Sequence, residues 1–144
     1  MIRAIAFLSL ICCTAGCELP GPGSADFRAK LAGEYSIYRS SSHQISITPE
    51  GWSDDTPIIP TKVIECAVDR HFILAKRQGL KRRNPNDPND TYEEPDPHVF
   101  DYWILDTDAP KVYGPLDIAQ YNNMRQELGV TESIELKDVY SFRP

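Results

Sequence analysis

Apolar residues in this chain alternate with polar ones in short runs, and most runs end at glycine, proline, serine, asparagine or aspartate. A period of two sends successive side chains to opposite faces, so such runs form strands, and the turn residues between them fold the strands back as hairpins. Three hairpins are predicted. Residues 34–39 and 43–48 flank Ser40, Ser41 and Ser42, with His43, Ile45 and Ile47 on one face of the second strand. Residues 62–68 and 71–76 flank a tight turn at Asp69 and Arg70, with Ile64, Cys66 and Val68 sharing a face. Residues 98–106 and 111–116 flank a turn containing Asp108 and Pro110. In this last pair Phe100, Tyr102 and Ile104 make one apolar face and Trp103 and Leu105 the other, which predicts a central strand covered on both sides.

After Gly114 and Pro115 break the strand, Asp117 and Gln120 have capping-box spacing, Leu116 and Tyr121 are placed as a hydrophobic staple, and Gly129 suits the stop. A helix is predicted over 117–128, its stripe of Ile118, Tyr121, Met124 and Leu128 packed on the sheet. Residues 133–142 alternate again and predict one more strand. The fold expected is α+β: an antiparallel sheet of about six or seven short strands with one C-terminal amphipathic helix packed on it.

The amino terminus follows different rules. Arg3 provides a positive start, residues 4–11 are apolar, and Thr14, Ala15 and Gly16 lead to Cys17. The apolar run is far shorter than the roughly 20 residues needed to span a membrane, so it reads as a cleaved signal. The segment resembles the lipobox of bacterial lipoproteins, although Thr14 stands where leucine is usual. The resemblance implies cleavage before Cys17 and acylation of its thiol with palmitate-type chains. Cys12 and Cys13 follow bulky Leu10 and Ile11 and are poorer acceptors. An ordinary secretory signal with an incidental Cys17 is the alternative. Residues 1–16 are thus expected to be a signal peptide, 17–26 a lipidated cysteine and Pro/Gly-rich tether, and 27–144 a single globular domain. The expected location is the bacterial cell envelope, with the protein exported and held to a membrane through Cys17.

The full chain carries 15 basic and 21 acidic residues, a net charge of −6, and loss of Arg3 makes it about −7. That balance argues against nucleic acid or an anionic lipid surface as an electrostatic partner. With Cys17 acylated, Cys66 is the one remaining thiol, expected to be buried and inert. No G-x-S-x-G elbow, HExxH pair, CxxC pair or phosphate-cradling glycine loop occurs, so no catalytic residue, cofactor or metal site is assigned. His43, His71 and His98 each open a predicted strand, and Glu93, Glu94, Asp96 and Asp101 are close in sequence; a zinc cluster or an acid/base pair are the minor alternatives.

The outlier is residues 78–97, read as a long loop whose Asn, Asp and Pro content denies it sheet pairing. Within it Lys81, Arg82, Arg83, Asn86, Asp87, Asn89, Asp90 and Tyr92 are the candidate partner-binding residues. A calcium loop starting at Asp87 fails because Tyr92 occupies the position that needs glycine.

The order of Gly33 to Arg39 with Ser42 to Ile47, then Phe72 to Arg77, Asn86 to Tyr92, Tyr102 to Asp106 and Val112 to Leu116 resembles a family of small bacterial lipoproteins classed as a domain of unknown function. The resemblance implies a common fold and no activity. A non-catalytic, membrane-anchored envelope module binding a protein, peptide or glycan is the functional expectation. An inhibitor or immunity-type lipoprotein blocking an enzyme cleft is the alternative, and a small envelope enzyme the third.

Overall fold

Eight strands, one α-helix and a closing 3-10 turn follow one another as β1 (Phe27–Lys30), β2 (Tyr35–Arg39), β3 (Ile45–Pro49), β4 (Val63–Asp69), β5 (Phe72–Arg82), β6 (Glu93–Asp106), β7 (Lys111–Leu116), α1 (Ile118–Glu127), β8 (Lys137–Asp138) and the turn Val139–Phe142. The structure, a computed structural model, describes residues 26–144. Cys17 and the signal and tether readings lie outside the described residues. All three predicted hairpins form with antiparallel pairing.

The strands make two sheets rather than one: β1-β2-β3, and β7-β6-β5-β4-β8. Alternation shows which residues share a face, but not which neighbour covers that face. The small sheet packs Ala29, Tyr35, Ile37, Ile45 and Ile47 against Cys66, Ile73, Ala75, Trp103 and Leu105 of the large one. The opposite face of the large sheet carries Phe72, Leu74 and Ile104 and packs on Tyr121 and Val130. The result is three layers, with β5 and β6 in the middle one and buried on both faces, as their apolar content requires.

The helix begins as its sequence predicts. Asp117 accepts from the Gln120 backbone N–H at 2.8 Å while the Gln120 side chain accepts from the Asp117 N–H at 3.0 Å. It ends at Gly129, whose φ of 67° closes the turn without steric cost. Arg70 donates to the Gly129 carbonyl at 2.6 Å, and Asp69 accepts from the Thr131 N–H at 2.7 Å, which fixes the helix exit to the β4–β5 turn. That N–H, chiefly, holds the Asp69 carboxyl below its ordinary pKa. Of the predicted stripe, Tyr121, Met124 and Leu128 join the core, but Ile118 points to solvent. The sheet lies under the later turns of the helix, and the first residue after the cap overhangs it.

Two further expectations are corrected. Residues 133–142 do not form a long strand; only Lys137 and Asp138 pair with β4, and a 3-10 turn follows, capped by the Asp138 side chain. Ile134 and Leu136 pack on the helix side of the sheet, so their alternation reflects burial under a covering segment. In β4 a register shift between Val63 and Glu65 makes Ile64 the extra residue of a bulge and puts Val63 in the same core as Cys66.

Tyr121 is the anomaly of the helix-side core. Its ring stacks on Tyr102 with centroids 4.9 Å apart, yet its hydroxyl is buried without a hydrogen-bond partner. Burial pushes the phenol up to about 12. An unsatisfied buried polar group is unfavourable by about 1–3 kcal/mol, so Tyr121→Phe should leave stability unchanged or raise it by about 1 kcal/mol in urea denaturation. A clear loss of stability would mean that the hydroxyl has an acceptor.

Candidate functional site

The segment read as an unpaired loop is instead the outer end of a long hairpin. β4 pairs with β5 only from Phe72 to Arg77, and β7 pairs with β6 only from Tyr102 onward. Past the Gln78–Phe100 pair the two middle strands continue alone through Leu80–Pro95, Lys81–Glu94 and Arg82–Glu93. At about 3.3 Å per residue this two-stranded arm carries the tip roughly 15 Å beyond the sheet.

Proline did not prevent pairing because Pro95 and Pro97 occur where β6 has lost its β7 neighbour and where the ladder is interrupted. At that point Gly79 lies opposite residues 96–99. A Cβ on Gly79 would sit 2.7 Å from Val99 Cγ1, so the close approach of the two strands depends on glycine. The Gln78 amide donates to the Asp96 carbonyl at 3.2 Å, and Asp96 Oδ1 accepts from the His98 N–H at 3.0 Å.

The tip is braced by its own residues. Arg82 donates to the carbonyls of Asp87 and Asp90, each at 2.9 Å, and Arg83 donates to the Asp90 carboxylate at 2.9 Å. The Arg83 guanidinium also lies 5.1 Å from the centre of the Tyr92 ring. Asn84, Asp87 and Asp90 accept from the N–H groups of Asn86, Asn89 and Tyr92, three successive side-chain turns at 2.9–3.1 Å. Lys81 pairs with Glu94 at 3.8 Å. All eight predicted residues therefore fall on one arm. The hydrogen bond from Arg83 holds the Asp90 carboxyl below its ordinary pKa, so the brace is intact above the usual carboxylate range and is lost only as pH falls below it.

These contacts change what the tip can offer. The arginines are spent on internal bonds, and the exposed apolar groups are Tyr92 at the tip with Val99 and Phe100 at the base of the arm. Phe100 was expected inside, on the face of Tyr102 and Ile104; it lies beyond the cover of the helix and sits under Lys76, whose ammonium is 4.9 Å from its ring centre. A cleft of about 380 Å³ separates the arm from the β2–β3 turn, lined by His43, Gln44, Leu80, Thr91, Tyr92 and Glu93. No sequence signal marks it, because residues far apart in the chain, His43 and Gln44 on one side and Leu80 and Thr91 to Glu93 on the other, meet there.

A family model for proteins of unknown function, DUF3997, matches residues 32–140, from just before β2 into the closing turn. The chain belongs to this family. No curated protein and no solved structure matches it.

In this DUF3997 domain the four acidic residues of the acid/base alternative have separate roles: Asp101 binds Arg77, Glu94 binds Lys81, Asp96 closes a turn and Glu93 lines the cleft beside the arm. The histidines are dispersed too. His43 is in the β2–β3 turn, and His71 lies between β4 and β5, 3.6 Å from Asp108 and 3.9 Å from Asp106. His98 lies inside β6, a correction to the expectation that it opens a strand. Among the described residues no three His, Cys, Asp or Glu side chains converge as metal ligands. Cys66 is fully buried, and burial pushes its thiol up to about 12, which leaves no reactive thiolate at neutral pH. Among the described residues no helix is long and apolar enough to cross a membrane.

Proposed function

We propose that this protein is a lipid-anchored component of the bacterial cell envelope, held through Cys17, whose domain binds a protein, peptide or glycan without catalysing a reaction. The observation that carries this reading is the arm: an ordered tip, cross-braced by Arg82, Arg83 and Asp90, projecting from a sheet that does not need it for its core. A pre-formed tip loses little conformational entropy when it docks, which favours recognition. The same feature supports a second reading, an inhibitor or immunity-type lipoprotein whose arm enters an enzyme cleft.

Replacing residues 84–91 by a short Gly/Ser linker removes the tip and keeps the Arg82–Glu93 pair. Loop-closure cost changes slowly with length, so the domain should stay folded by circular dichroism and should lose its crosslinked envelope partner. Full retention of that partner would move the binding surface elsewhere. Cys17→Ala should abolish acyl labelling and leave an uncleaved precursor; unchanged labelling would remove the anchor.

A further inference from the structure

We infer that the outer face of the small sheet, around Tyr38 and Trp52, is the surface on which the domain rests against its own membrane. This rests on the anchor at Cys17 proposed above. Both side chains stand in solvent, Tyr38 53% and Trp52 50% exposed, and they line one shallow cleft of about 170 Å³ with Arg28, Thr48, Glu50 and Gly51. Tyrosine and tryptophan carry an apolar ring with a polar edge, the combination that favours the headgroup region over both water and hydrocarbon.

Their position in the fold selects the occupant. Tyr38 lies opposite Arg28 in the β1–β2 register, and Arg28 is two residues after Asp26, where the described chain begins. Asp26 is tied to the buried Arg39 at 3.4 Å, so the chain enters the domain at a fixed point beside this face. From Cys17 to Asp26 the backbone spans at most about 30 Å. A tether this short holds the patch at a high effective concentration relative to the lipid, so weak affinity suffices to seat it.

Charge decides the kind of contact. Arg28 pairs with Glu50 at 3.5 Å and Lys30 with Glu34 at 3.8 Å, and the exposed Asp54 and Asp55 follow Trp52, so the face offers no surplus of positive charge to anionic headgroups. Seating therefore uses aromatic burial at a neutral headgroup layer, and salt should not release it. The helix, in the opposite layer, stays turned away from the lipid.

Tryptophan fluorescence tests this with the full, acylated chain in phosphatidylcholine vesicles whose acyl chains are brominated. Trp103, 8% exposed, serves as the internal reference. The expected result is loss of most Trp52 emission relative to plain vesicles, persisting at high salt and absent in Trp52→Phe, with acyl labelling of Cys17 unchanged. Equal emission in brominated and plain vesicles, with the label present, would overturn the seat and leave the anchor standing. A soluble oligosaccharide that shifts Trp52 emission without vesicles would overturn it in favour of a glycan site. An unlabelled Cys17 would remove anchor and seat together.

Discussion

Leu105→Ala and Ile104→Ala should each lower the unfolding free energy by about 2–5 kcal/mol, although the two neighbouring side chains face opposite ways. Leu105 enters the core between the sheets and Ile104 the core beneath the helix, and both are fully buried. Large-to-small changes remove transfer energy and leave cavities, and a rigid middle strand held on both sides has little freedom to collapse into either. Urea denaturation with a common slope measures both. If one substitution were nearly neutral, that layer would be loosely attached. The double variant should come close to the sum, because the sheet separates the two sites and the side chains belong to two different cores.

Asp101→Ala should destabilise the protein by about 3 kcal/mol, more than an ordinary surface carboxylate would. Asp101 accepts two bonds from Arg77, at 2.9 and 2.8 Å, and one from the Trp103 indole N–H at 2.6 Å. Arg77 donates as well to the Thr61 carbonyl at 3.0 Å and lies over the Trp103 ring at 5.2 Å. The paired side chains are only 20% and 17% exposed, so the alanine variant strands a mostly desolvated guanidinium and an indole N–H. An exposed pair contributes about 0–1 kcal/mol and a buried one loses 3–5 when broken, and burial places this one near the second case. The double variant Arg77→Met with Asp101→Leu should therefore be less destabilised than Asp101→Ala alone. Since the cluster lies where the arm leaves the sheet, the Asp101→Ala variant should also lose amide-exchange protection at Leu80–Arg82 before Leu74 does. A loss below about 1 kcal/mol would mean that the cluster behaves as a surface pair.

Both predictions concern features that were partly legible. The two apolar faces of residues 100–105 announced a covered strand, and the capping box at Asp117 and Gln120 announced the helix start. Neither indicated that two different cores would cover that strand, because apolar alternation is identical whichever partner arrives. Phe100 shows the limit: its alternation with Tyr102 and Ile104 is regular, but the helix does not extend far enough to cover it.

What the sequence determined by itself is local: three hairpins closed by Ser, Asp and Pro turns, a capped helix and a buried cysteine. Their physical basis acts over a few residues, through φ restriction, side-chain turns and period-two burial, so it can be read without knowing the fold. Tertiary structure alone decided the division into two sheets, the reduction of residues 133–142 to one short pairing and a turn, and the conversion of 78–97 from loop to braced arm. In the arm, turn-forming residues do favour turns, as Asn84, Asp87 and Asp90 demonstrate. The ladder nevertheless continues past Gln78 because Gly79 lets the strands approach, Pro95 and Pro97 fall where no further strand competes for β6, and Arg82 satisfies tip carbonyls that pairing leaves open. Each of those contacts joins residues whose proximity the folded chain creates.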